Sequence, residues 1–278
     1  MNPGSKGGLS AKKFHLIKNF FIGQCYSCAI TKNLDDAYKL SKKANAESFD
    51  AIIAVGGDGT INRVLNGFYD EKGKRTSAAN FGVIYTGTSP DFCRTYNIPF
   101  SVENAIKTIL NGKVRTIDVG KIEFTYGVKY FACCANIGLG AALANNVNGG
   151  IRKIFGDTLG TFFALIKTLT KYKPNDIFIN GKKLEHVYNL SVGKTYYVAS
   201  GLKIAHDLKQ NDERFYLLPI QGGLVVSLCK LYLGKRFKIE YEDVIEIKGD
   251  GGVEFDGDEG GRLPCTVSNA ERLTVYAK

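Results

Sequence analysis

Histidine is scarce in this chain of 278 residues: His15, His186 and His206 are scattered, and the Cys25-x-x-Cys28 pair has no second pair to complete it. A closed zinc site needs four such ligands at short spacing, so a structural metal of that kind does not organise the chain. The seven cysteines are odd in number and include the adjacent Cys133 and Cys134, which suits buried thiols in a reducing compartment better than a disulfide framework. Uncharged apolar runs are short: Leu217 to Cys229, for one, falls well under the roughly 18 to 20 residues that a membrane span needs. The opening Met-Asn-Pro-Gly-Ser-Lys-Gly-Gly lacks the apolar centre of a secretory signal, which gives the cytosol as the expected location. Internal repeats, low-complexity linkers, zinc-finger spacings and basic-aromatic nucleic-acid signatures are lacking too, so no nucleic-acid partner is expected.

What is present is an ordinary globular composition, 44% apolar and 23% charged, at a length that suits one large or two modest domains. Basic residues outnumber acidic ones by 37 to 27, a net charge of +10 that favours an anionic partner such as an acidic membrane face or a phosphorylated substrate. The excess is local. Residues 151 to 210 hold ten Lys plus Arg against four Asp plus Glu, and so six of the ten net charges.

The first part of the chain alternates helix and strand. Phe14, Ile17 and Phe21 recur at helical spacing in the segment Leu9 to Phe21, and residues 33 to 46 repeat the pattern with Leu34, Ala37, Ser41 and Ala44. Cys28 to Thr31 reads as a short strand, and Ala51 to Val55 is the continuous apolar run of a buried parallel strand. Ile61, Val64, Leu65 and Phe68 then mark a helix from Thr60, Phe81 to Tyr85 a further strand, and Val102 to Leu110 a further helix. Such alternation predicts a doubly wound α/β domain over residues 1–118. Beyond it, strand-like runs at 119–124, 128–137, 176–180, 186–192, 195–199, 214–220, 236–247 and 263–276 predict a β-rich, sandwich-like domain over 119–278, its last strand a candidate to return to the first domain. One apolar stripe inside it, Ile151, Ile154, Phe155, Leu159, Phe162, Ile166 and Leu169, predicts a long covering helix with Arg152, Lys153, Lys167 and Lys171 near its ends.

Chemistry concentrates in Gly56-Gly57-Asp58-Gly59-Thr60, set between a buried strand and an amphipathic helix. Glycines let backbone N–H groups approach an anion, and the helix terminus adds a favourable dipole, so the loop suits phosphate. Asp58 would repel a bare phosphate and therefore points to Mg²⁺ nearby, while Thr60 can cap the helix or meet an oxygen. Thr86-Gly87-Thr88-Ser89-Pro90-Asp91-Phe92 follows the next strand, and two such loops at the carboxyl ends of parallel strands face one crevice. A third loop, from Asn2 through Ser5 to Gly8, also precedes a helix.

Taken in order, Asn-Pro-x-Ser, Gly-Gly-Asp-Gly-Thr, Gly-Thr-x-x-Asp-Phe, Ile117-Asp118-Val119-Gly120, Asn136-Ile137-Gly138 and Asp256-Gly257-Asp258 resemble the diacylglycerol kinase catalytic-domain family, especially its soluble bacterial lipid kinases. The resemblance spans nearly the whole chain. It implies an ATP site between an α/β and a β-rich domain, and transfer of the γ-phosphoryl group to a lipid hydroxyl. Carried over, nucleotide contacts fall on Asn2, Ser5, Thr31, Gly56, Gly57, Asp58, Gly59, Thr60 and Thr88, the Mg²⁺-associated acids on Asp58, Asp91 and Asp118, and the catalytic acids on Asp256 and Asp258. The excess of basic residues in the second domain predicts peripheral contact of such an enzyme with an anionic membrane, with a homodimer left open.

This chain departs from the family pattern in four places. The late motif ends in Asp258 rather than Glu, which leaves the base open between Asp258 and Asp256. Ser89-Pro90-Asp91 stands where Gly-x-Asn-Asp is usual, and Glu213 stands where some members have a metal-loop Gly beside Asp212, so no metal is assigned there. Asn-Pro usually follows a first strand, whereas Met1 alone precedes Asn2, so that either a strand is missing or the sheet edge is built differently. Two alternatives remain: a soluble-substrate kinase of the NAD-kinase type, and a catalytically weak nucleotide-binding regulator.

Overall fold

Alternating amphipathic and apolar segments fold, in the computed structural model, into α1 (Leu9–Phe20), α2 (Leu34–Ala46), β1 (Ala51–Gly56), α3 (Asp58–Asn66), β2 (Asn80–Tyr85), α4 (Asp91–Thr95), α5 (Val102–Leu110) and β3 (Val114–Ile117). Then follow β4 (Gly120–Phe124), β5 (Gly127–Phe131), β6 (Cys134–Gly138), α6 (Leu139–Asn146), β7 (Asn175–Ile179), β8 (Lys182–Gly193), β9 (Tyr197–Val198) and β10 (Leu202–Lys203). The chain ends with β11 (Phe215–Gln221), β12 (Glu240–Glu242), β13 (Ile245–Gly249), β14 (Gly252–Phe255), β15 (Asp258–Arg262), β16 (Cys265–Asn269) and β17 (Leu273–Tyr276). The structure describes residues 1–5, 8–88, 90–146, 172–198, 202–203, 208, 213–222, 239–256 and 258–278. The expected helix over Ile151 to Leu169, with its flanking Lys and Arg, lies outside them.

The first sheet runs β1-β2-β17-β3. β1 and β2 are parallel from Ala51↔Asn80 to Gly56↔Tyr85, which brings the loops after both strands out at one end. β17 is parallel to β2 and antiparallel to β3, so the last strand completes a sheet begun some 200 residues earlier. Helices cover both faces. Ala37, Ile61, Leu65, Phe68 and Phe92 from α2, α3, its end and α4 pack on one, and Ile17, Phe21, Ile106 and Ile109 from α1 and α5 on the other. Each Ile, Leu or Phe side chain so buried stabilises by about 1.5–3 kcal/mol. Local signals fix the helix starts: Asn33 and Asp36 form a capping box for α2, and Ser101 caps α5 by accepting from the Asn104 N–H.

The second sheet runs β15-β14-β6-β8-β7-β13-β16-β4-β5, with β11 pairing to β8 and β12. Alternate residues of nine of these strands, among them Ile122, Phe131, Ile137, Leu190, Phe215, Ile247, Val253 and Val267, meet in one core, so a single hydrogen-bonded sheet wraps around it in sandwich-like fashion. β8 changes partner near His186, at φ 53, leaving β7 for β6 and β11. An α/β unit followed by a β-rich one is the expected fold class.

Details differ from expectation where tertiary contacts intervene. Cys28 to Thr31 is extended but no strand: the Met1 ammonium donates to Ala29 O at 2.7 Å and Thr31 N to Met1 O at 2.9 Å, while Asn2 N donates to Val55 O at 2.9 Å. The sheet edge beside β1 is thus built from Met1 and Asn2 wedged against two neighbours. The run 128–137 splits into β5 and β6 because the N–H groups of Ala132, Cys133 and Cys134 turn to the Asp256 carboxylate. The hairpin β14–β15 was hidden by its glycines, which the rings need: a Cβ at Gly260 would collide with Phe255, and one at Gly261 would sit 2.8 Å from the Phe124 ring. Among the described residues no helix is long and apolar enough to cross a membrane.

Candidate active site

Three loops meet at the carboxyl ends of β1 and β2. Asn2 donates from Nδ2 to Thr60 Oγ1 at 2.9 Å, Ser5 Oγ donates to Thr86 O at 3.2 Å, and Thr86 N donates to Gly56 O at 2.9 Å. The amino-terminal loop therefore touches both of the others. Gly57 has φ −95, which any residue adopts; its glycine serves close approach instead, since an added Cβ would lie 3.2 Å from Gly87 Cα and 3.4 Å from Ser5 Oγ. A Cβ at Gly56 would fall 2.5 Å from the Thr60 side chain. Among the described residues no side chain caps α3, unlike α2 and α5, and Thr60 N turns back to Gly57 O at 3.0 Å. Thr31 and Thr60 are buried beside a cleft of about 220 Å³ that Met1, Ala37 and Val64 also line, Gly59 is half-buried, and Thr88 is exposed.

Asp58 opens α3. Burial pushes its carboxyl up from 3.8 to about 7; the hydroxyl of Tyr85, donating to Oδ2 at 2.9 Å, opposes that, and the nearby charges of Asp256 and Asp91 add to it. A half-buried carboxylate with two others near it suits a hard cation. Among the described residues no three acidic, cysteine or histidine side chains close into a full ligand set. Mg²⁺ keeps several waters and takes one or two carboxylates beside phosphate oxygens, so Asp58 and Asp91 are the acids that could take part in holding it. Asp91 is buried at the start of α4, its Oδ1 3.4 Å from Arg94.

The other expected acids are engaged elsewhere. Asp118 is ion-paired with Arg272 Nε at 3.0 Å and Lys194 Nζ at 3.7 Å, and accepts from Glu213 N. Two cations already neutralise it, so it stands in an ion-pair cluster rather than with Asp58 and Asp91. Asp256, at φ 50 directly after β14, accepts four hydrogen bonds. Cys133 N and Cys134 N reach Oδ1, and Ala132 N and Asn62 Nδ2 reach Oδ2, all within 3.1 Å. Burial pushes its carboxyl up while these donors pull it down. A carboxylate so saturated clamps the β5–β6 junction to α3. Asp258 begins β15 opposite Phe255; its side chain lies outside the described residues.

Two residues of the site were missed at the sequence level. Asn62 bridges Asp256 and the Tyr130 carbonyl, and its signal was legible: Asp58, Asn62 and Asn66 recur at i, i+4 and line one face of α3. Tyr85 gave no signal, being one more apolar residue of a buried strand.

Glycine loops beside the Asp58 and Asp91 carboxylates, at the carboxyl ends of β1 and β2, suit a phosphate-bearing ligand. Residues 1–122 match the diacylglycerol kinase catalytic domain family. A diacylglycerol kinase of Staphylococcus aureus strain JH9 is 28% identical over 285 residues, spanning 94% of this chain and 85% of that one. A solved diacylglycerol kinase structure from Bacillus anthracis str. Sterne shares the fold, with a TM-score of 0.75 at 20% identity over 100% of this chain and 95% of the other. An NAD kinase from Archaeoglobus fulgidus in complex with ATP is more distant, at TM-score 0.50 and 13% identity over 99% and 91%. The motif resemblance is borne out: residues 1–122 fit the diacylglycerol kinase catalytic domain, and the chain is similar over most of its length to a diacylglycerol kinase.

Proposed function

We propose that the chain is an ATP- and Mg²⁺-dependent lipid kinase that transfers the γ-phosphoryl group to the primary hydroxyl of diacylglycerol or a related lipid. The contact of the three loops Asn2–Ser5, Gly56–Thr60 and Thr86–Asp91, beside the Asp256–Asp258 hairpin, carries this reading. The name of the S. aureus relative, matched over nearly the whole chain, favours the lipid over NAD as acceptor.

Phosphoryl transfer asks a protein mainly to position two oxygens and to balance charge. The backbone of Gly56, Gly57 and Gly59 and the uncapped start of α3 hold phosphate, with Asn2, Ser5, Thr31, Thr60 and Thr88 as polar contacts. Asp58 and Asp91 would hold Mg²⁺, which would neutralise charge on the phosphates. Asp256, saturated by four donors, positions the hairpin, and leaves Asp258 to accept the proton of the lipid hydroxyl. The protein works at the cytoplasmic face, where Lys and Arg of residues 151–210 draw it to anionic lipid at about 1 kcal/mol each.

Radiolabelled ATP with Mg²⁺ and vesicles of diacylglycerol, a sphingoid base or phosphatidylglycerol, with NAD as the soluble alternative, tests this. A phosphorylated lipid is expected. Product with NAD alone supports the soluble-substrate kinase, and ATP binding without product supports a regulator. Asp258→Asn should lower kcat at least about 10²-fold with ATP affinity unchanged, and normal turnover by that variant would take the base away from Asp258.

A further inference from the structure

Tyr85 ends β2 directly opposite Gly56, where the loops after β1 and β2 diverge. It is buried, 6% exposed, and its hydroxyl donates to Asp58 Oδ2 at 2.9 Å across the gap between the two strands' loops. Gly87 lies against it: a Cβ there would fall 2.5 Å from Tyr85 Oη and 2.7 Å from Gly57 Cα. Only glycine at 87 lets the second loop close down on Gly57 while the phenol passes beneath it to the carboxylate. The ring is anchored in the core that contains Phe81 and Phe92, so the hydroxyl is presented from a rigid strand. Asp58, by contrast, sits in the first turn of a helix, where a short carboxylate has several rotamers open to it. A donor on a fixed ring selects one of them.

We propose that Tyr85 is a positioning residue for phosphoryl transfer: its hydroxyl holds the Asp58 carboxylate in the orientation that the nucleotide site uses. The role rests on Asp58 belonging to that site, as proposed above. Asp58 touches the phosphates or their cation; Tyr85 acts through it. Charge-assisted hydrogen bonds of this kind are stronger than neutral ones, and misplacing a charged group in a water-poor site is costly to turnover.

Tyr85→Phe removes one oxygen and keeps the ring. Steady-state kinetics on diacylglycerol vesicles, with rates referred to the fraction of protein that binds ATP, should show kcat down about tenfold or more, the usual worth of a hydrogen bond to a charged group. KM for ATP should stay within about threefold, and the melting temperature should stay close to that of the parent. Parallel assay of Asp58→Asn separates the two readings. Undiminished turnover in Asp58→Asn removes Asp58 from the site and fails the functional reading itself. An impaired Asp58→Asn with a fully active Tyr85→Phe overturns the positioning role alone. A Tyr85→Phe protein whose loss disappears once rates are referred to the ATP-binding fraction overturns it too, because the phenol then serves only the fold.

Discussion

Burial lifts the Asp58 carboxyl from 3.8 to about 7, and this has a consequence for stability. Between those values the native protein holds a proton that the unfolded chain has released. Native protein is therefore favoured at the acid end, and the contribution of this group falls as pH rises from about 4 to about 7. Asp58→Asn removes the titration. Urea unfolding without nucleotide should find the variant more stable than the parent at pH 7.5, with a difference that shrinks toward pH 4.5; equal stability at both would show that Asp58 is not strained by burial. A site that loses stability to keep an acid buried is a common arrangement where function needs the charge. Asp256 is placed otherwise, its four donors making it a tie between α3 and the β5–β6 junction.

At the scale of elements, α3 does two jobs with two faces. Its apolar face, Ile61, Val64 and Leu65, is buried in the core shared with β1 and β2. Its polar face begins at the glycine loop and continues through Asn62 and Asn66, which donate to Tyr130 O at 3.0 and 2.8 Å; Asn66 also accepts from Tyr130 N. One helix thus carries the phosphate loop at its start and grips β5 along its side. The loop itself tolerates little. At φ −95 the Gly57 backbone accepts alanine, but the methyl would press on Gly87 Cα, a contact of the kind that costs about 1–3 kcal/mol when overpacked. Gly57→Ala should fold normally and bind ATP about tenfold more weakly by calorimetry, and unchanged affinity would take the loop out of the nucleotide site.

Across the whole molecule, the two sheets are joined by polar contacts as much as by apolar ones. Tyr96 donates to Ala132 O at 3.0 Å, and Tyr69 stacks on Tyr130 with centroids 4.5 Å apart. Asp118, where β3 gives way to β4, is clasped by Lys194 from the end of β8 and by Arg272 just ahead of β17. Lys194 is nearly fully buried, its ammonium 3.9 Å from the centre of the Phe215 ring and donating to Arg214 O at 3.2 Å. Removing one partner of a buried pair leaves the other uncompensated. Lys194→Met should cost about 3 kcal/mol in urea unfolding, at the low end for such pairs because Arg272 remains. A change below about 0.5 kcal/mol would mean that Arg272 alone suffices.

Local order was legible in the sequence wherever one physical preference dominated. The apolar run Ala51 to Val55, the helical spacing of Ile61, Val64, Leu65 and Phe68, and the glycines after the first strand identify a strand, a helix and a phosphate loop without help, because burial and backbone freedom act at short range. The ordered motifs carried the resemblance to the kinase family for the same reason. Contacts between distant segments were not legible. Asp256 looks in sequence like one half of a catalytic pair, and folding spends its oxygens on main-chain groups more than 120 residues away. Asp118 looks like a third metal acid, and folding hands it to Lys194 and Arg272. Tyr85 looks like strand filler, and only the parallel register of β1 and β2, with Gly87 folded over the ring, brings its hydroxyl to Asp58. A side chain's type sets what it can bind; which partner it meets is decided by packing at long range.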